Sequence, residues 1–262
     1  MKKNRKNHIW MVAFAALALS FFTCTPVQAH FPWLIIEDGA IDANRPLKWV
    51  IGFGHRFPLS GFMNGEDLKD TVIFGPNTGD KTVVTALSGI QFTSPSPLTK
   101  EGGYVLAAER QASFFTKTTE GYKRQPKKGL KNVLSSGYYH SYMKAVANVG
   151  EVGGKVDTVV GHDLEIIPLA NPLTLRPGDY LPIKILLRGK PFKTEFLATY
   201  GGFSTENGVY AYAASTDKQG MGKIRILAPG AWLIKVNHKE PYQDPEMCDV
   251  ESFLATCTFE IQ

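Results

Sequence analysis

Cysteine is nearly absent, with three in 262 residues, which speaks against a disulfide-dense scaffold and against a thiolate metal finger. No Gly-rich phosphate loop occurs, and no Gly-x-Ser-x-Gly elbow, so neither of those routes to nucleotide binding or serine hydrolysis is open. Long stretches with a 3.6-residue period are scarce. There is no long apolar run after the first 29 residues, and so no expected membrane span beyond them. A basic cluster interleaved with aromatics is missing too. The densest basic run, Lys123-Arg124-Gln125-Pro126-Lys127-Lys128, reads as a solvated loop, and no nucleic-acid partner is expected.

What is present begins with an export signal. Lys2, Lys3, Arg5 and Lys6 form a positive start, Ile9 to Phe22 is almost wholly apolar, and Val27-Gln28-Ala29 is a small-residue cleavage site. The apolar run is short for a spanning anchor. A lipoprotein reading through Cys24 meets bulky Phe21-Phe22-Thr23 where small residues are needed. Cleavage therefore makes His30 the first residue and the periplasm the expected location. The whole chain has 29 basic and 24 acidic residues, a net of +5. Removing four basic residues leaves 25 against 24, or +1, too little for an electrostatic case for nucleic acid or anionic membrane. Cys248 and Cys257 remain, and an even pair in an oxidising compartment is expected to form a disulfide.

The rest of the chain is short apolar segments bounded by Gly, Pro, Asn and Asp, the pattern of an all-β protein. Strands are expected over 33–37, 47–52, 71–74, 82–87, 104–110 and 112–118. A helical turn is expected over 127–135. The segment 138–149 reads as a long strand, with Tyr138, His140, Tyr142, Lys144 and Val146 on one face. After a boundary near 160, seven further strands are expected over 164–168, 180–187, 193–200, 210–214, 222–226, 231–238 and 255–261, with turn signals between them. The expectation is two β-sandwich domains in series, 30–160 and 161–262, the second immunoglobulin-like.

Chemistry falls to the histidines. His30, once N-terminal, offers both its α-amine and ring Nδ1 to one metal ion, and a second imidazole would complete a three-nitrogen set suited to Cu(II) or Ni(II). His55 lies in Gly52-Phe53-Gly54-His55-Arg56-Phe57-Pro58 at a strand exit, either a ligand or a surface turn residue. His140, among tyrosines, reads first as a hydrogen-bonded core or interface residue. His238 ends a strand before an acidic loop carrying Asp244, Glu246, Asp249 and Glu251. The candidate ligand set is His30 and His55, with His238 or His140 as a fourth ligand. His162 is expected to fix a turn.

Several segments, taken in order, resemble a bacterial periplasmic family of unresolved function associated with nickel and cobalt uptake and formerly labelled NikM-type. They are Ala29-His30-Phe31-Pro32-Trp33-Leu34, Gly54-His55-Arg56-Phe57-Pro58, Gly161-His162-Asp163-Leu164-Glu165-Ile166-Ile167-Pro168 running on to Pro172, and Pro229-Gly230-Ala231-Trp232-Leu233-Ile234-Lys235-Val236-Asn237-His238-Lys239 with the stretch to Asp249. Tyr142-Met143-Lys144-Ala145 is similar to that family's aromatic-x-Lys-Ala strand. The resemblance implies a periplasmic protein handling a transition-metal ion and passing it to an uptake transporter, while the nitrogen donors point to nickel or copper before zinc or cobalt. Gly189-Lys190-Pro191-Phe192, Thr216-Asp217-Lys218-Gln219-Gly220 and Ala228-Pro229-Gly230-Ala231-Trp232 are similar to Cna-B and transthyretin-like modules, which are structural or binding domains, so an enzyme is not the expectation. Two other readings stand beside metal binding: a structural or interaction module with incidental histidines, and a copper redox enzyme built on an N-terminal histidine brace.

Overall fold

A computed structural model describes residues 30–85 and 87–262. The expected export signal over 1–29, Cys24 included, lies outside the described residues. Among the described residues the fold is almost entirely β. The strands are β1 (Phe31–Ile36), β2 (Ala40–Ile41), β3 (Lys48–Gly54), β4 (Leu68–Phe74), β5 (Lys81–Val84), β6 (Gln91–Thr93), β7 (Gly102–Thr118), β8 (Gly121–Lys123) and β9 (Val133–Val149). They continue with β10 (Leu164–Pro168), β11 (Tyr180–Leu187), β12 (Lys190–Pro191), β13 (Glu195–Tyr200), β14 (Tyr212–Ser215), β15 (Met221–Arg225), β16 (Gly230–Pro241) and β17 (Val250–Ile261). No helix among the described residues is long and apolar enough to cross a membrane.

Among the described residues the strands form three sheets. The largest has ten strands and runs β14-β13-β16-β17-β9-β7-β4-β5, with β2 beside β9 and β8 beside β7. A three-stranded sheet, β1-β3-β6, covers part of one face. A four-stranded sheet, β10-β11-β12 with β15 on β11, covers part of the other. The two sandwiches thus share the long sheet and bury opposite faces of it.

The period of two along each strand makes this possible. On β9, Met143, Ala145, Ala147 and Val149 pack into the core under the three-stranded sheet. Tyr142 and Val146 on the same strand pack into the other core. On β17, Phe253, Ala255, Cys257, Phe259 and Ile261 join that second core. The intervening Thr256 and Thr258 face β1, where their hydroxyls donate to the carbonyls of Pro32 at 3.1 Å and Leu34 at 2.8 Å. Strands β9 and β17 pair in parallel, an arrangement that needs a long crossover. The chain from β10 to β16 supplies it.

Polar rungs fasten β9 to the four-stranded cover. Tyr142 donates to Asp163 at 3.0 Å. Lys144 Nζ lies 2.5 Å from Glu165 Oε1, with both side chains at 3% exposure or less. Lys144 also donates to the Thr158 carbonyl, and Glu165 accepts from the Val160 and Gly161 amides. Asn171 donates to Asn148 at 3.1 Å. The aromatic-x-Lys-Ala segment and the 161–172 segment are therefore the two halves of one buried junction.

Three expectations change. Segments 104–110 and 112–118 are one continuous strand, β7, bent by a register shift between Arg110 and Ser113. No helical turn forms over 127–135. Gly129 (φ 81°) and Asn132 (φ 55°) are left-handed, so the stretch turns and then enters β9. The Cys248–Cys257 disulfide is absent, and both thiols are free and buried. From Val250 onward the chain is extended strand. That puts Val250 roughly 23 Å from Cys257 at about 3.3 Å per residue, and Cys248, two residues before Val250, cannot reach back to the Cα spacing of about 4.4–6.8 Å that a disulfide spans.

Candidate metal centre

Strands β1 and β3 are antiparallel, with Phe31 opposite Gly54. His30 immediately precedes β1 and His55 immediately follows β3, so both emerge at the same end of this pair. Their rings stack, with centroids 4.3 Å apart and planes 29° from parallel. The Phe53 ring lies 5.3 Å from that of His30.

The local sequence explains why this loop is fixed. A Cβ at Gly52 would sit 2.3 Å from the Trp33 indole, so only glycine lets that ring lie across β3. Gly54 has φ +152°, and a Cβ there would run into the Ser60 side chain, which accepts from the His55 amide at 3.4 Å. Trp33 Nε1 donates to the Pro58 carbonyl at 3.1 Å, and the Phe53 amide donates to Gly61 O at 2.8 Å. Phe31, Trp33, Phe57 and Leu233 form a small apolar cluster beneath the loop. Pro32 points its peptide edge away from β3, toward Thr256, where lacking an amide proton costs no ladder hydrogen bond.

The electrostatics favour a neutral imidazole at position 55. Burial, then the charges of His30 and Lys235, hold its pKa below the ordinary histidine value. Among the described residues, His55 Nδ1 is buried and has no hydrogen-bond partner. A buried orphan of this kind is costly unless something occupies it. Lys235, on β16, lies with its ammonium 4.0 Å from the centre of the Phe31 ring. It donates to the Tyr210 hydroxyl at 3.1 Å. Burial pushes Lys235 down to about 8 and Tyr210 up to about 12. No group of three or more His, Cys, Asp or Glu side chains gathers among the described residues. The two imidazoles are thus not joined by a third such side chain among the described residues.

His140 and His238 lie elsewhere. Both flank Phe253 on the face of the long sheet that the four-stranded sheet covers, in register across β9, β17 and β16. Lys235 and the His30–His55 pair belong to the opposite face. The His140 ring stacks on Phe253 at 4.8 Å and its Nε2 is 2.9 Å from Glu251. His238 Nε2 is 3.4 Å from Glu240, which also binds Arg188. The four-histidine set thus divides into two pairs that cannot meet one ion, because a sheet lies between them. His162 is partly buried beside Tyr142, and burial with the nearby Lys144 charge holds it at about 3. In the acidic loop, Asp249 and Glu246 are matched by Lys127 at 2.5 Å and Lys128 at 3.0 Å. Half of the basic run is therefore a staple to that loop rather than a free surface.

Two residues at the site, Lys235 and Tyr210, carried no role in the sequence reading. The signal available was a lone lysine inside the apolar run Leu233-Ile234-Lys235-Val236, on the face opposite Trp232 and Ile234.

The strand pairing defines an all-β protein of sandwich type, with two histidine rings stacked at one end of a strand pair. The chain belongs to the DUF4198 family, a domain of unknown function, which matches residues 27–240. No curated protein matches it. Two solved structures with low similarity are the D0-D1 domain of intimin, 11% identical over 87% of this chain and 97% of that one at a TM-score of 0.20, and murine CEACAM1b, 10% identical over 89% and 100% at 0.22. The all-β assignment rests on the strand pairing itself.

Proposed function

We propose that this is an exported periplasmic protein that binds a late divalent transition metal, Ni(II) or Cu(II), and hands it to an uptake transporter rather than transforming a substrate. The observation that carries the reading is the His30–His55 stack, with its buried and unpartnered His55 Nδ1. The donor set fits such an ion. Imidazole suits nickel and copper, whereas magnesium and calcium want oxygen. His55 is held neutral by burial, as a ligand must be. Removal of residues 1–29 would add the His30 α-amine as a third nitrogen. The family resemblance to nickel and cobalt uptake proteins supports the same reading.

The test is a competition titration with Cu(II) and Ni(II) on protein beginning at His30. Two variants accompany it: His55→Ala, and an added N-terminal Ala that turns the amine into an amide. Each should weaken binding at least tenfold, about 1.4 kcal/mol. Unchanged affinity in both would reject the site and leave a structural or interaction module. Mass spectrometry of the periplasmic fraction should find His30 as the first residue.

A further inference from the structure

The chain from His30 onward is nearly neutral: 29 basic residues less the four of the export signal leave 25, against 24 acidic ones. The four-stranded sheet nonetheless sorts its charges. Strands β11 and β15 pair with Tyr180 opposite Arg225, Pro182 opposite Lys223 and Lys184 opposite Met221. Alternation sends Leu181, Ile183, Ile185, Ile224 and Ile226 into the core shared with the long sheet. The residues between them make up the outer face, turned away from the long sheet and from the His30–His55 pair beyond it. Lys184, Lys223 and Arg225 stand together on that face. No ion pair involving any of the three occurs among the described residues.

Three large apolar side chains lie among these cations. Tyr180 is 46% exposed, Met221 36% and Leu227 46%. The Lys223 ammonium sits 4.6 Å from the centre of the Tyr180 ring. No acidic residue takes an outer position on either strand. The carboxylates at the strand ends are engaged with backbone: Asp179 accepts from the Arg176 amide, and Asp217 from the Gln219 and Met221 amides. Like charges gathered on one sheet face repel, and exposed apolar area costs free energy in water. A surface that offers both negative charge and an apolar layer removes both costs. An anionic bilayer does so, with the charged heads at the phosphates and the apolar side chains at the acyl boundary. Apart from the Tyr180 hydroxyl, the face has no neutral hydrogen-bonding side chain to orient a single anion or to read a particular acidic chain. The near-neutral total is no obstacle. Screening limits the attraction to a Debye length, about 8 Å at physiological salt, so a bilayer meets this face and not the charge of the whole molecule.

We propose that the outer face of the four-stranded sheet is a peripheral docking surface for an anionic phospholipid bilayer, held by Lys184, Lys223 and Arg225 with Tyr180, Met221 and Leu227 among them. The inference stands apart from the metal reading. It sets the molecule on a membrane by one side and leaves the histidine pair, across the long sheet, clear of the lipid.

The experiment measures partitioning of protein beginning at His30 onto sedimented vesicles. One set is phosphatidylglycerol and phosphatidylcholine in equal parts, the other phosphatidylcholine alone. The parent should bind the anionic vesicles at least tenfold more tightly, and high salt should abolish the difference. Reversing the face with Lys184→Glu, Lys223→Glu and Arg225→Glu together should weaken that binding at least tenfold. Lys117→Glu, Lys123→Glu and Lys131→Glu together change the net charge equally but away from this sheet, and should leave binding within threefold of the parent. If far-UV circular dichroism shows the reversed face misfolded, Lys184→Gln, Lys223→Gln and Arg225→Gln stand in, with at least a fivefold loss expected. Soluble polyglutamate serves as the probe for an acidic protein partner. Equal binding to both kinds of vesicle, equal losses in the two charge-altered sets, or tighter binding to polyglutamate than to anionic vesicles would each overturn the inference, and none of these outcomes touches the metal site.

Discussion

Replacing Glu165 with Gln would leave the Lys144 ammonium buried without its counter-charge. The substitution keeps the shape of the side chain but only one acceptor oxygen: Glu165 takes the Val160 amide on Oε1 and the Gly161 amide on Oε2, so glutamine keeps one of these bonds and loses the other. It also removes the negative charge 2.5 Å from Lys144 Nζ, in a place where both side chains are 3% exposed or less. Breaking a buried pair from one side typically costs about 3–5 kcal/mol. A second estimate comes from proton linkage. Burial already pulls the Lys144 pKa down, and Glu165 is the main opposing influence. Without it the lysine can escape its penalty by losing its proton, which at pH 7 costs at most about 4.6 kcal/mol from a reference pKa near 10.4. The two estimates meet near 4 kcal/mol.

The sign of the pH dependence follows. In the variant the folded state holds the lysine proton less tightly than the unfolded chain does, so the unfolded state binds more protons and stability rises with pH. The ceiling on the loss drops by about 1.4 kcal/mol per pH unit, to roughly 1.9 kcal/mol at pH 9. Urea unfolding can be followed by fluorescence of the fully buried Trp33, Trp49 and Trp232, alongside far-UV circular dichroism. Glu165→Gln should lose about 4 kcal/mol at pH 7, near 8–16 °C in Tm for a chain of this size, and about half of that at pH 9. Adding Lys144→Met should recover most of the loss and flatten the pH profile. A loss below 1 kcal/mol at pH 7, or one that does not shrink by pH 9, would refute the claim that an isolated charge at this junction is what the fold cannot carry.

Gly52→Ala should destabilise by about 1–3 kcal/mol, the usual range for overpacking, because the new methyl meets the Trp33 indole; it should also weaken metal binding by displacing the His55 loop. A thermal melt paired with a copper titration checks both, and parental values in each would count against the packing account. Metal affinity should decline as pH falls, with the His55 contribution persisting below the ordinary imidazole range because burial, His30 and Lys235 all lower its pKa. A competition titration from pH 5 to 8 on the parent and on His55→Ala reads that contribution directly, and a midpoint at or above 6.5 would contradict it. Maleimide labelling without reductant should find no reactive thiol in the native protein and both Cys248 and Cys257 in denaturant. Labelling that stays absent in denaturant until a reductant is added would restore the disulfide.

Much of the strand pattern was legible because alternation and turn chemistry are local. β10 and β11 run over the residues their apolar runs and flanking turns predict, Leu164–Pro168 and Tyr180–Leu187. The face shared by His140, Tyr142, Lys144 and Val146 follows from the period of two. The placing of His55 at a strand exit was equally readable from the glycines and proline around it. Local pattern does not say which distant strand lies alongside, or which sheet covers which face. The parallel pairing of β9 with β17 joins positions more than a hundred residues apart. It is that pairing, with the four-stranded cover, that brings Lys144 to Glu165 and sets His140 and His238 around Phe253, away from His30 and His55. The cysteines show the same limit. A nine-residue spacing is compatible with a loop or a strand, and only the pairing of β17 along its whole length with β16 makes it extended. Lys235 gave little warning because a lysine in an apolar strand looks like a solvent-facing position. The β1–β3 sheet laid over that face places it against Phe31 at the candidate site. The sequence alone determined which residues alternate; long-range sheet pairing decided which of them meet, because those contacts depend on partners that no neighbouring residue specifies.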